Sequence, residues 1–399
     1  MIFKRVFFLT VFLLIGTFLF SQTEVVLWHS YRAQERAALE EAVDLFNKEH
    51  SDIQVKILGI PFDAFPDKIT AAIPRGKGPD LFIFAHDRIG GWVEGGVIES
   101  IDFYLEENIQ AKYVEGAYKP MEYKGSIYGL PMSLKSVILY YNPEIIDNPP
   151  KTTNEMIDIA KNHTNKEKGE YGLVYEIANF YYHACWLQGM GGRIFNENNI
   201  PVLNSKPNIK SFQFAQDLFL KEEIVPPEVS NVLVTTLFNE SKAAMVISGP
   251  WFRGEIKDVP YEIALLPIIS SENKRAMPFM SSEGVMMSAK SQNKEAAFEV
   301  MKFLSSEKAL YIMANKGNQP VAIKSVYNKE KIKNDKYLPK FKEQIKYSKP
   351  MPSIPQMTTV WSPATTALNS SVNGNDPKEE LDKAQQKIME ALKAAGFIK

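Results

Sequence analysis

The order of apolar segments in the first third of the chain is the feature that most constrains its fold. Residues 24–28 are typical of a buried strand, and residues 33–50 carry apolar side chains at helical spacing. Residues 53–58 alternate as a strand does, residues 65–73 show another helical pattern, and residues 81–84 form a continuous apolar strand. This alternation predicts an α/β fold with a mostly parallel sheet flanked by helices and a ligand site at the carboxyl ends of its strands.

The rest of the chain continues these patterns, and its length predicts more than one domain. At 399 residues, the chain is long enough for two or more domains, with one large α/β unit as the alternative. Two further strands are predicted at residues 136–141 and 243–247. Three further helices are predicted at residues 208–220, 294–304 and 377–395.

Charge and cysteine content exclude several classes of protein. The 46 Lys and Arg residues balance 47 Asp and Glu residues, a net charge of −1, which argues against nucleic acid as a partner. Cys185 is the single cysteine, so neither an intramolecular disulfide nor a cysteine-rich zinc site can form.

The first 21 residues have the pattern of a secretory signal. Lys4 and Arg5 precede an apolar run at residues 6–20, and Ser21 is a plausible cleavage position. An uncleaved anchor is the alternative. No cysteine near Ser21 could take a lipid, and no comparable apolar run follows. We expect a cleaved signal peptide and a soluble protein in the periplasm.

Motifs for catalysis and cofactor binding are missing from the sequence. The five histidines show no HExxH or HxxxH spacing, and there is neither a G-x-S-x-G elbow nor a phosphate-binding P-loop. We therefore expect no metal, no cofactor and no enzyme activity. A glycosidase with two carboxyl groups from separated positions remains the enzymatic alternative.

Aromatic residues beside turns point to binding instead. Trp251 follows Gly249-Pro250, Trp361 precedes Ser362-Pro363, and Tyr181 lies in a run of three aromatic residues. Sugars stack their C–H faces on such rings and need charged or polar groups for their hydroxyls. Asp87 and Arg88, directly after the strand at residues 81–84, could supply those groups.

Four separated blocks carry a resemblance to a known family. Residues 84–91 (FAHDRIGG), 141–152, 248–251 (SGPW) and 351–361 (MPSIPQMTTVW) resemble, in the same order, the maltose-binding proteins of ABC importers. The resemblance covers essentially the whole chain after Ser21. It implies the type II periplasmic-binding-protein fold, in which two α/β lobes bind a sugar between them, close by hinge motion and present it to a membrane permease. We expect a monomer.

The resemblance also implies roles for individual residues. Asp87 and Arg88 match the acid and arginine that hydrogen-bond sugar hydroxyls in the family, and Trp251 and Trp361 match its stacking tryptophans. Tyr181 falls where the family has a sugar-contacting tyrosine, if the Gly191-Gly192 pair fixes the alignment.

Other positions depart from the well-known maltose pattern. Phe84 stands where a tryptophan is usual and keeps an apolar ring, and Arg32 stands in the place of an aspartate. Lys135 and Asn179 each replace a glutamate. A lysine at position 135 can only donate hydrogen bonds, whereas a glutamate can only accept them. We therefore expect Lys135 to contact the ligand as a donor. The alternative is a lysine that is turned out to solvent.

The resemblance implies lobes built from discontinuous segments. We expect a signal at residues 1–21, an N-terminal lobe of residues 22–132 plus 285–329, and a C-terminal lobe of residues 133–284 plus 330–399. The chain should cross between the lobes near residues 130–134, 281–285 and 323–336, with Asp87 in the first lobe and both Trp251 and Trp361 in the second.

The expected ligand is maltose, a maltooligosaccharide or a related α-glucoside such as trehalose. A non-sugar solute such as a polyamine or a glycerophosphodiester is the alternative. A polyamine needs several carboxylates around the rings, whereas Arg32, Arg88 and Lys135 argue against a cationic ligand.

Overall fold

Two β-sheets with helices packed on them form the molecule. The structure is a computed structural model and describes residues 22–398. The six-stranded sheet holds β1 (Thr23–His29), β2 (Ile53–Gly59), β3 (Leu81–Ala85), β6 (Gly129–Lys135), β13 (Phe279–Met287) and β14 (Lys349–Pro350). The four-stranded sheet holds β7 (Ile138–Tyr141), β8 (Tyr171–Val174), β9 (Ala243–Ser248) and β10 (Glu262–Ala264). Two small ribbons are β4 (Glu122–Tyr123) with β5 (Ser126–Ile127) and β11 (Ile268–Ile269) with β12 (Lys274–Arg275).

Helices pack on the sheets and on one another. Those grouped with the six-stranded sheet are α1 (Ala33–Glu49), α2 (Phe65–Ala72), α3 (Ile89–Glu94), α8 (Lys294–Leu304), α9 (Glu307–Asn315) and α10 (Glu330–Lys333). The others are α4 (Thr153–Asn162), α5 (Phe180–Gly189), α6 (Lys206–Leu220), α7 (Asn231–Asn239), α11 (Leu338–Ile345), α12 (Trp361–Val372) and α13 (Pro377–Ala394). We call the six-stranded sheet with its helices the first half, and the four-stranded sheet with its helices the second half.

The predicted strand and helix alternation at the start of the chain is confirmed. β1, α1, β2, α2 and β3 follow one another, and β1 pairs in parallel with both β2 and β3. Every residue of β3 is buried, which explains its uninterrupted apolar sequence. The further predicted strands and helices are also present, with ends shifted by a few residues.

The expectation of a mostly parallel sheet in each lobe is wrong for the second half. There β8 pairs with β9 in parallel, but β7 pairs antiparallel with both β9 and β10. In the first sheet, β13 runs antiparallel to β3 and β6. β7 and β13 enter their sheets from the other half, without the helical crossover that makes consecutive strands parallel.

The chain passes between the two sheets at three places before α11, and after α11 it meets the first sheet again at β14 before it continues to α12. It leaves the first sheet after Lys135 and enters the second at Ile138, and it returns between Ala264 and Phe279. A third passage lies between Ile323, which bridges to Tyr113 in the first half, and Asp335, which pairs with Arg253 in the second. The exact lobe boundaries stay a prediction.

Three sequence-based expectations concern the membrane, the N-terminus and metals. No helix within residues 22–398 is long and apolar enough to cross a membrane. The predicted signal at residues 1–21 lies outside the described residues. Among the residues described, no cluster of His, Cys, Asp and Glu side chains could hold a metal ion.

His183 on α5 makes the stability of the fold depend on pH. Its ring is fully buried, with Nε2 3.0 Å from the Ser211 hydroxyl, and burial lowers its pKa to about 3. Below pH 6.5 the unfolded chain protonates this imidazole and the folded protein does not, so stability is lost as the pH falls. We expect His183 to lower the free energy of unfolding by on the order of 1 kcal/mol between pH 7.5 and 5.5.

Chemical denaturation of His183→Gln at both pH values measures this contribution. The decrease in unfolding free energy should be smaller in His183→Gln than in the parent protein. His163→Gln is the matched control, because its imidazole is only half-buried, and it should behave as the parent does. Equal decreases in His183→Gln and His163→Gln would contradict this assignment.

Candidate binding cleft

Asp87 and Arg88 lie where the sequence predicted, at the carboxyl end of a strand. The buried strand β3 ends at Ala85, and the short helical turn His86–Arg88 follows it. Asp87 is only 4% exposed, and its Oδ2 lies 3.2 Å from Arg88 Nε. Burial raises the pKa of Asp87, and the nearby Arg88 and His86 oppose that shift only in part. The turn therefore presents a carboxyl group with a guanidinium beside it.

A hydrogen bond links Asp87 to Trp361. The indole Nε1 of Trp361 donates to Asp87 Oδ2 over 3.0 Å. Trp361 is the first residue of α12, which packs on α5 and α6 of the second half. The bond therefore joins the first half, through the turn after β3, to the second half.

Four aromatic rings continue from this bond in an arc. Trp361 lies 5.9 Å from Phe279, Phe279 lies 6.2 Å from Tyr181, and Tyr181 lies 6.3 Å from Trp251, between ring centroids. Trp361, Tyr181 and Trp251 are half-buried, while Phe279 is buried. We call these four residues the aromatic arc. They come from four distant parts of the chain, and three of them were predicted site residues.

Asn179 fixes the position of Tyr181. Its Oδ1 accepts a hydrogen bond from the Tyr181 amide over 3.0 Å and so caps the start of α5. Its Nδ2 donates to Glu176 Oε2 over 2.8 Å. Glu176 follows β8 closely, and burial raises the pKa of its carboxyl group. The sequence analysis missed Glu176, although it is the polar side chain just past a strand's carboxyl end.

Arg32 pairs with a carboxylate of the opposite half. Its Nε lies 2.6 Å from Glu255 Oε1, which follows the turn Pro250–Gly254 that carries Trp251. Arg32 lies in the loop after β1 of the first half. Its side chain is 47% exposed, so the pair contributes little stability by itself. It marks a second place where the two halves touch.

Phe84 lies beneath a more exposed ring. It is 2% exposed and stacks between Phe62 and Phe65, with centroids 5.1 Å from each. Phe62 is 55% exposed and presents the accessible face of this stack. The sequence analysis did not select Phe62, although Gly59 and Pro61 mark a turn just before it, after the predicted strand at residues 53–58.

Lys135 occupies a buried position between two carboxylates. Its Nζ lies 3.0 Å from Glu35 Oε1 and 2.9 Å from Glu283 Oε2. The alternative that Lys135 turns out to solvent is wrong, because its side chain is 10% exposed. Its contact with a ligand stays a prediction.

The structure thus brings five predicted residues into one continuous surface and places three beside it. Asp87, Arg88, Trp361, Tyr181 and Trp251 follow one another from the turn after β3 to the turn after β9. Arg32, Phe84 and Lys135 make their described contacts with other protein side chains. Rings beside carboxylate and guanidinium groups are suited to a ligand with apolar faces and hydroxyl edges.

Known proteins are similar to this one in sequence over most of the chain. The sequence pattern of the family described as "Bacterial extracellular solute-binding protein" matches residues 30–311. The maltotriose-binding protein of Pyrococcus abyssi is 29% identical over 387 residues, covering 92% of this chain and 82% of that protein. The galactooligosaccharide-binding protein of Bacillus subtilis is 29% identical over 390 residues, covering 93% and 90%.

Solved structures share the fold. A maltotriose-binding protein of Thermus thermophilus bound with maltotriose has a TM-score of 0.86 and 25% identity, covering 92% of this chain and 100% of that one. The maltose/maltodextrin-binding domain of Bdellovibrio bacteriovorus bound to maltotriose has a TM-score of 0.88 and 24% identity, covering 93% and 100%. The predicted two-lobed fold and the resemblance to maltose-binding proteins are confirmed.

Because the match to the family covers residues 30–311, well over half of the sequence, the chain belongs to the bacterial extracellular solute-binding proteins.

Proposed function

We propose that this protein is the solute-binding component of an ABC importer and binds a maltooligosaccharide or a related α-glucoside such as trehalose. The observation that carries the proposal is the aromatic arc ending at the Asp87–Trp361 hydrogen bond. Relatives named for maltotriose, galactooligosaccharide and maltooligosaccharide binding support an oligosaccharide ligand.

Direct contacts to the sugar come from the continuous surface. The C–H faces of the sugar rings stack on Trp251, Tyr181 and Trp361, because these apolar faces interact more favourably with an aromatic ring than with water. Asp87 accepts hydrogen bonds from hydroxyl groups, and Arg88 donates to them. In the arrangement seen here Asp87 accepts from Trp361, so carboxylate and ring lie side by side where the two halves meet.

The three remaining predicted residues act at the edges of this surface. Arg32 contacts the ligand or its neighbour Glu255 at the rim, since its side chain is half exposed. Phe84 supports the Phe62 ring from below. Lys135 lies beneath the surface with its two carboxylates.

Closure of two lobes holds the ligand. The lobes comprise residues 22–132 plus 285–329 and residues 133–284 plus 330–399, so Asp87 belongs to the first and Trp251 and Trp361 to the second. A ligand that touches both lobes stabilises the closed form by its larger contact area there. The Asp87–Trp361 and Arg32–Glu255 contacts, each joining the two halves, support this arrangement.

The remaining steps of import follow from this role. Residues 1–21 direct export, and the monomeric protein works in the periplasm, where it delivers the loaded form to the permease subunits in the inner membrane. It binds the sugar without chemical change, as a carrier and not a glycosidase. The family's extracellular character supports this location.

A thermal-denaturation panel tests the proposed ligand class. Maltose, maltotriose or trehalose should raise the melting temperature of the purified protein, because a ligand that binds only the folded state stabilises it. Putrescine and glycerophosphocholine should leave it unchanged. A shift with putrescine or glycerophosphocholine alone would replace the sugar with a non-sugar solute, and release of glucose from maltotriose would contradict a simple carrier.

Substitution in the aromatic arc tests the proposed surface. Trp251→Ala should weaken the affinity for maltotriose by about 2 kcal/mol, roughly thirtyfold, because truncation removes a stacking face. Calorimetric titration measures this loss. Phe103→Ala is the control, since its ring is 90% exposed and distant in sequence from the arc, and its affinity should equal that of the parent protein. Equal dissociation constants for the two variants would place the sugar elsewhere.

A further inference from the structure

Lys135 belongs to a cluster of buried charges that the ligand surface does not explain. We propose that the Glu35–Lys135–Glu283 triad, here called the buried ion cluster, positions the passages of the chain between the halves and so sets how readily they close on a ligand. Lys135 is then a positioning residue and not a sugar contact. The effect on affinity rests on the proposed function, whereas the effect on the relative position of the halves does not.

Each charged group of the cluster is bonded to other side chains of the protein. Lys135 Nζ lies 3.0 Å from Glu35 Oε1 and 2.9 Å from Glu283 Oε2. Glu283 Oε2 also accepts a hydrogen bond from the Tyr31 hydroxyl over 2.9 Å, and Glu35 Oε1 accepts one from Gln319 Nε2 over 2.9 Å. All five residues are buried, with whole-residue exposures of 8% or less. The amine is therefore directed at protein carboxylates of the first half.

Each member of the cluster lies close to a passage or to a contact between the halves. Lys135 is the last residue of β6, directly before the first passage. Glu283 lies in β13, just after the second passage. Gln319 lies before the third passage, in a segment tied to β6 by the hydrogen bond from the Leu134 amide to the Pro320 carbonyl over 2.8 Å. The cluster thus joins the start of the first passage, the end of the second and the segment before the third.

The cluster is also connected to the cleft. Tyr31, whose hydroxyl is held by Glu283, precedes Arg32, which pairs with Glu255 of the second half. Lys135 Nζ lies 4.7 Å from the centroid of the Tyr31 ring, a cation–π contact that further restrains this loop. A change in the charges of the cluster therefore affects Tyr31, and through its neighbour Arg32 it affects the Arg32–Glu255 contact between the halves.

Charge balance decides which substitutions are informative. Two carboxylates share one ammonium group away from water. Burial alone would lower the pKa of Lys135, but Glu283 and Glu35 outweigh burial and raise it, so the lysine stays charged. Replacing Lys135 by Met leaves two buried carboxylates without a cation, which destabilises the packing of α1, which carries Glu35, against β13, which carries Glu283. Replacing Glu283 by Gln as well removes one of those charges and lets the amide still meet Tyr31.

Affinity measurements on three variants test the inference. For maltotriose, Lys135→Met should bind at least tenfold more weakly than the parent protein, and Lys135→Met/Glu283→Gln should recover to within threefold of it. Lys119→Met is the matched control, because it breaks an exposed ion pair with Glu122, and it should bind as the parent does. A double variant that stays tenfold weaker overturns the proposal, since the amine itself would then contact the sugar. That comparison holds even if Lys135→Met alone fails to fold.

A measurement without ligand separates this inference from the proposed function. Spin labels on Lys48→Cys and Val232→Cys, both exposed and in different halves, report the distance between the halves, while the native Cys185 is buried. Lys135→Met should broaden the distance distribution, and the added Glu283→Gln should narrow it again. Identical distributions in the parent protein, Lys135→Met and Lys119→Met would overturn the inference. Failure of the parent to bind maltotriose would instead overturn only the sugar assignment.

Discussion

The hydrogen bond from the Trp361 indole to the Asp87 carboxyl is the contact on which the candidate cleft depends. It joins a turn that ends a buried strand of the first half to the first residue of a helix in the second half. Because Asp87 is buried, the bond forms away from competing water and is correspondingly stronger than an exposed one. It also holds one end of the aromatic arc in place, where Trp361 meets Phe279 edge to face.

The connections of the chain explain why such a contact can exist. Of the three passages before α11, two lead directly into or out of the antiparallel pair of β6 and β13. Motion of the halves must therefore act on this pair. A buried lysine and two carboxylates at that place are a costly choice for stability alone, since apolar residues of similar size often stabilise a core as well. Their value lies in fixing one geometry for the strands on which the halves turn.

Some of the site could be predicted from local sequence. The apolar run before Asp87 and Arg88 predicts a buried strand, and the carboxyl end of that strand predicts the position of both residues. Trp251 and Trp361 stand beside turn residues, which favours an aromatic ring at a surface. The parallel start of the first sheet also follows from its strand and helix alternation. In each case the sequence pattern lies within a few residues of the structural feature that it predicts.

Other parts depend on contacts between residues far apart in sequence. Phe279 lies within a buried strand and looks like any core residue until the fold brings it between Tyr181 and Trp361. Lys135 meets carboxylates 100 and 148 positions away, so no local pattern reveals that its charge is paired. The antiparallel direction of β7 follows from the passage of the chain between sheets, which periodicity does not record.

The crystal structure of the protein with maltotriose tests the central claim most directly. The account predicts a glucose chain between the two halves, with sugar rings stacked on Trp251 and Trp361 and a hydroxyl bonded to Asp87. Maltotriose bound at any surface that leaves these three residues untouched would contradict it.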